Sequence, residues 1–136
     1  MKLKSALATA AVVLASLSMP AMAQDASGTW LTASGETRVR IAPCGGSLCG
    51  TIAWTKASGA KDVNNPNANL KGRNLVGVTM ITMKPAGDKK WTGTLYNPQD
   101  GKTYSGTLTQ TGANSLSLSG CVAAVFCRSQ NWTRVN

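Results

Sequence analysis

From Gly28 to the C-terminus the chain keeps one rhythm, short runs in which apolar residues stand at every second position. In Thr37-Arg38-Val39-Arg40-Ile41 the two arginines share one face and Val39 and Ile41 the other. That is the two-residue period of an extended strand. The next run places Leu48, Gly50, Ile52 and Trp54 together. Trp91 to Tyr96, Tyr104 to Thr109 and Ser115 to Ser119 alternate apolar residues with Ser and Thr, which suit a solvated strand face. Almost nothing in this part of the chain follows a helical period.

Turn chemistry separates the runs. Asn97-Pro98-Gln99-Asp100-Gly101 carries proline early and Asp-Gly late, a hairpin turn with glycine free to adopt a left-handed backbone. Pro85-Ala86-Gly87-Asp88 and Thr111-Gly112-Ala113-Asn114 are further turns. The pattern predicts about eight strands, near 28–33, 36–43, 48–55, 75–84, 90–96, 102–110, 114–121 and 126–135. Evenly spaced antiparallel strands must hide their edges, and an up-and-down barrel does so by closing on itself. The expected fold is therefore all-β, an antiparallel barrel, with a β-sandwich as its rival. Glycines 50, 93, 106 and 120 fall inside strands, where they allow tight coiling or close backbone approach.

One segment interrupts the rhythm. Lys56 to Asn74 is a long connection, hence functional or locally structured. Asn65 before Pro66 has the form of a helix cap and first-turn residue, and Gly72 of a stop, which predicts a turn or two near 66–71. With Leu70 packed downward, that piece would lid one barrel end. Asp62, Asn64, Asn65, Asn67, Asn69, Arg73 and Asn74 crowd the same segment. One carboxylate is too little charge for a good calcium site, and no metal or other cofactor is expected. The simpler expectation is that the amides tie the loop's own backbone.

The first 23 residues have a different character. Lys2 and Lys4 precede an apolar run from Ala6 to Leu17, and Ala21-Met22-Ala23 has the small-x-small form of a cleavage site. This predicts a cleavable signal peptide, residues 1–23, ahead of a single domain of residues 24–136 in an exported protein, periplasmic or secreted. Of 14 Lys and Arg only two leave with the signal, so the 113 remaining residues carry 12 basic against 5 acidic side chains. No later segment approaches the ~18 apolar residues of a membrane-spanning helix, so no transmembrane anchor is expected. Export implies an oxidising compartment, where four cysteines usually mean disulfides. Three pairings are open. Cys44 with Cys49 and Cys121 with Cys127 are favoured because each pair brackets a short, turn-like connection.

With these segments in place, the chain resembles the bacterial family of domain of unknown function 2147. The resemblance runs from Gly28-x-Trp30 through Val39-x-Ile41-x-x-Cys44, Cys49-Gly50-x-Ile52-x-Trp54 and Asp62-x-Asn64-Asn65-Pro66. It continues with Gly72-Arg73, Trp91-x-Gly93-x-Leu95-Tyr96-Asn97-Pro98, Gly101-Lys102-x-Tyr104-x-Gly106 and Gly120-Cys121, and closes on Cys127-Arg128-Ser129-Gln130-x-Trp132-x-Arg134. The chain departs from the family pattern at Asn67 and Lys71. The resemblance implies a lipocalin-like, or calycin, barrel. In such barrels a cation near the C-terminus packs over the first-strand tryptophan and closes the base. Trp30 takes the tryptophan's place here, and Arg134, with Arg128 second, supplies the cation.

Two functions follow as expectations. An eight-stranded barrel either fills its interior or holds one small ligand. Binding of a small apolar or amphipathic ligand would use Trp54, Trp91, Tyr96 and Tyr104 as walls, with Asn64, Asn65 and Arg73 at the mouth. The simpler expectation for each aromatic is ordinary core. The alternative is a cell-envelope interaction protein whose positive charge attracts anionic lipid, lipopolysaccharide or an acidic protein. Nucleic acid is not an expected partner, since the basic residues are scattered and the protein is exported. Catalysis is not expected either, because the chain has no histidine and few acids for proton transfer. Asn131-Trp132-Thr133 matches a glycosylation triplet but falls in an expected strand, and we treat it as chance.

Overall fold

The computed structural model describes residues 26–123 and 126–136. The expected signal peptide lies outside them. Eight strands follow one another: β1 (Gly28–Leu31), β2 (Thr37–Cys44), β3 (Ser47–Thr55), β4 (Thr79–Pro85), β5 (Lys90–Asn97), β6 (Lys102–Gly112), β7 (Ser115–Val122) and β8 (Phe126–Arg134). Each is antiparallel to the next, and β8 returns to β1, closing a barrel. The rival sandwich is thereby set aside. β4 begins later than the sequence pattern suggests. Gly77 adopts φ 100° and interrupts the extended run, and its N–H reaches the carbonyl of Ile52 instead.

The inward residues are the alternating apolar set. Trp30, Val39, Ile41, Leu48, Ile81, Met83, Trp91, Leu108, Leu116, Leu118 and Trp132 are all buried in one cluster. Three of the four tryptophans thus sit in the core, each a large burial of apolar area. At Gly93 a Cβ would collide with the backbone of Thr82 in β4, so only glycine allows these strands to coil this tightly.

Up-and-down order sorts the connections onto two ends. The loops 32–36, 56–78 and 98–101 share one end with the turn that leaves β7 at residue 123, called the loop end below. The tight turns after β2, β4 and β6 share the other with both ends of the barrel domain. That other end is the base. There the Arg134 guanidinium lies 4.3 Å over the Trp30 ring, Nε donates to the Ala113 carbonyl and a terminal nitrogen to the Ser27 carbonyl. The Trp30 indole N–H donates to the Ala26 carbonyl. Arg128, six residues earlier on the same strand, takes no part in that closure and stands toward the loop end of β8.

The disulfides are Cys44–Cys49 and Cys121–Cys127. Each closes a hairpin, one at the base and one at the loop end. Closure of the barrel itself is slight. β1 meets β8 at only two positions, Trp30 with Arg134 and Leu31 with Thr133. Residues 126–132 of β8 therefore have β7 as their strand partner and none on the β1 side among the described residues.

Candidate functional site

Three features of the loop end bear on function: a buried carboxylate, a surface cleft and an opening beside β8. The 56–78 connection is built around Asp62. Its side chain is fully buried, and it accepts hydrogen bonds from the Tyr96 hydroxyl at 2.6 Å, Asn65 Nδ2 at 2.8 Å and Arg73 Nε at 2.9 Å. Burial pushes the Asp62 carboxyl up, but these three donors outweigh it and hold it below its ordinary value. Burial and the neighbouring carboxylate together push the Tyr96 hydroxyl up to about 12. The arrangement keeps one charge satisfied out of water and ties the connection to β5.

The asparagines fasten the rest. Asn64 Nδ2 donates to the carbonyls of Pro98 and Gln99, which clamps the connection onto the β5–β6 turn. Gly101, at φ 71°, lies so near Asn64 that a Cβ would strike its carbonyl. The helical piece is shorter than expected, a single 3₁₀ turn at Ala68–Leu70 capped by Asn67 rather than Asn65. The reason is that Asn65 is already used: its Oδ1 accepts from the Asn67 N–H while its amide serves Asp62.

Beside Arg73 a surface cleft of about 510 Å³ is lined by Arg73, Asn74, Val76, Gly77, Val78 and Thr79. It lies along the outer approach to β4, not within the barrel. Among the described residues no three Cys, Asp or Glu side chains gather as a metal-binding group.

The residues expected to form one ligand site separate into five places, Asn64 being the one on the β5–β6 turn. Asn65, Arg73 and Tyr96 meet at Asp62. Trp91 is buried in the core. Tyr96 is out of step with inward Trp91 and Leu95, so it faces outward beneath the connection rather than into a cavity. Trp54 also stands outside. Val39 pairs with Ile52 but Arg38 with Trp54, so Ala53 is an extra residue on β3. Such a bulge shifts everything beyond it to the opposite face. Trp54 consequently lies beneath Arg38, whose guanidinium is 4.6 Å from its ring centre.

Tyr104 alone of the expected walls borders an opening. It shares the inward parity of Gly106 and Leu108, is half-buried, and its hydroxyl donates to Asp100 Oδ2. That bond raises the Tyr104 pKa and, with the Lys102 N–H, lowers that of Asp100 against the effect of burial. Opposite Tyr104 stand Gln130, to which nothing in the sequence assigns a role, and Arg128, which the family resemblance offers only as second choice for the base cation. Arg128 and Gln130 share the parity of buried Trp132, yet both are exposed, as is Phe126 beyond them. Register confirms their direction. Arg128 pairs with Gly120, and a Cβ on Gly120 would point at Leu95, 3.1 Å away, and at Tyr104. Gln130 Oε1 accepts the Trp132 indole N–H at 3.0 Å. At the loop end beside β8, Tyr104, Arg128 and Gln130 of inward parity thus meet solvent, while Leu95, Leu118 and Trp132 below them are buried. The signal was present in the alternation of 126–132, but without the partner strands an exposed Arg128 cannot be told from an outward one.

Residues 28–134 match the family described as an uncharacterized protein conserved in bacteria, DUF2147. The chain belongs to this family. No curated protein matches it. Among solved structures it is similar to HP1028 from Helicobacter pylori, described as belonging to the lipocalin family. The TM-score is 0.72 at 22% identity, covering 81% of this chain and 82% of that one. The likeness supports a lipocalin-like barrel for this DUF2147 member. No helix among the described residues is long and apolar enough to cross a membrane.

Proposed function

We propose that this chain is an exported, non-catalytic binder of a small amphipathic molecule carrying an anionic head group. The observation that carries the reading is the opening beside β8, where Arg128 and Gln130 face inward yet meet solvent above an apolar floor. An apolar tail entering here would reach Leu95, Leu118 and Trp132, which are buried in the free chain, and an anionic head would meet Arg128, which makes no salt bridge among the described residues. Polar groups few in number and placed over an apolar pocket are the usual form of a small-molecule site. Two disulfides agree with an oxidising compartment. The absence of catalysis is supported by the lack of histidine and by Asp62 and Asp100 each being engaged by a tyrosine.

Calorimetric titration with dodecanoate and with its uncharged alcohol tests the proposal. The acid is expected to bind at least about tenfold more tightly than the alcohol, a preference that Arg128→Glu abolishes while the fold persists. If neither probe binds, or if Arg128→Glu binds the acid as well as the parent chain does, the reading is wrong.

A further inference from the structure

The loop end also differs from the base in what it shows to solvent. Among the described residues the exposed large apolar side chains are Trp54, Val63, Val76, Val122, Phe126 and Val135. All except Val135 lie at the loop end. Phe126 is 75% exposed and Val122 51%, and the two are paired at the tip of the β7–β8 hairpin directly beyond the Cys121–Cys127 disulfide. They contribute little to the core, and the cross-link presents them on a braced hairpin at the rim. Val63 projects from the 56–78 connection with 60% of its surface exposed.

Charge accompanies this ring of apolar residues. Lys56, Lys61 and Lys71 on the connection, Lys102 at the start of β6 and Arg38 at the start of β2 are all exposed. The acids of this end are mostly engaged internally, Asp62 with Tyr96, Asn65 and Arg73, and Asp100 with Tyr104. The base is basic too, through Lys84, Lys89 and Lys90, but offers only Val135. Arg38 over Trp54 places a cation against an indole, a pair suited to the boundary between water and hydrocarbon.

We propose that the loop end docks onto an anionic lipid bilayer, with Phe126 and Val122 entering the interfacial layer and the lysines lying against head groups. Separate apolar points around a basic rim suit a flat, fluid, negatively charged surface. The proposal does not depend on the opening beside β8 holding a ligand, although docking would turn that opening toward the membrane.

Sedimentation with vesicles of phosphatidylcholine, alone or mixed with phosphatidylglycerol, tests it, using chains that all share one N-terminus. Binding is expected only to the mixed vesicles. It should fall at least about tenfold in a Val122→Ser/Phe126→Ser variant and weaken in Lys56→Glu/Lys71→Glu. Because Trp30, Trp91 and Trp132 are buried, brominated lipid should quench chiefly Trp54, and the quenching should vanish in Trp54→Phe. Four results would overturn the proposal: no binding to mixed vesicles, equal binding of the apolar double variant, bound chains whose Trp54 is not quenched, or capture of an acidic protein without vesicle binding.

Discussion

Asp62 shows how much one side chain holds in place. It is a fully buried carboxylate whose three donors come from Asn65, Arg73 and Tyr96, so the connection closes on itself and onto β5 through a single group. Tyr96→Phe should cost about 1–3 kcal/mol in urea denaturation, because it leaves a buried acceptor short of a donor. The pH dependence has a definite sign. Asp62 titrates below its unfolded value of 3.8, so its contribution is complete above that pH and is lost as pH falls through the folded value. Asp100, lowered likewise, adds to the same acid loss. Tyr96 is raised from 10.0 to about 12, so its contribution is complete below pH 10 and declines above it. Stability measured from pH 2 to 11 should therefore fall at both extremes, with a shallower acid limb in Asp62→Asn and a shallower alkaline limb in Tyr96→Phe. An unchanged acid limb in Asp62→Asn would assign the acid loss to other groups. The crowd of Asn, Asp and Arg in 62–74 was visible in the sequence as polar composition. That Tyr96, 34 residues beyond Asp62, completes it was not, because a long-range contact leaves no mark in spacing.

At the level of elements, the strands are legible in the alternation and the turn residues of the chain. All eight strands lie near their expected positions, since alternation and turn chemistry are local properties of the chain. The exceptions are equally physical. Ala53 is an unremarkable residue, and nothing in its neighbourhood announces the bulge that carries Trp54 to the outer face. Asn65 was a sound cap by residue type, but it was drawn to Asp62, and Asn67 capped the shorter turn instead. The β7–β8 hairpin offers a test at this scale. Residues 126–132 of β8 are held by pairing to β7 alone, and Cys121–Cys127 braces the tip. A disulfide closing so short a loop contributes about 2 kcal/mol in the chain-entropy view. Cys121→Ser/Cys127→Ser should accordingly lower stability by about that amount, and amide exchange should quicken in residues 120–129 before it does in β2 to β5. Equal acceleration throughout the barrel would mean that the hairpin does not open by itself.

For the whole molecule, the two ends of the barrel divide the work. The base is sealed, and Arg134 is its seal, spanning the Trp30 ring and the carbonyls of Ser27 and Ala113 and so joining β1, β8 and the β6–β7 turn. The loop end is where the interior opens beside β8, and Arg128 stands there on the same strand. Two arginines six residues apart thus hold opposite offices, and their substitutions should separate. Arg134→Ala removes a cation–π contact of about 1 kcal/mol together with charge-assisted hydrogen bonds. It should lower the urea midpoint while leaving dodecanoate affinity within about twofold under conditions where the barrel is folded. Arg134→Lys should recover only part of the loss, because an ammonium can sit over the indole but cannot reach both carbonyls with a planar fork. Arg128→Glu should do the reverse, abolishing the preference for the anionic probe with a midpoint near that of the parent chain. The comparison is decisive because each variant is the other's control. If Arg134→Ala weakened binding as much as Arg128→Glu at matched stability, the base and the opening would not be independent, and a ligand site confined to the loop end would have to be given up.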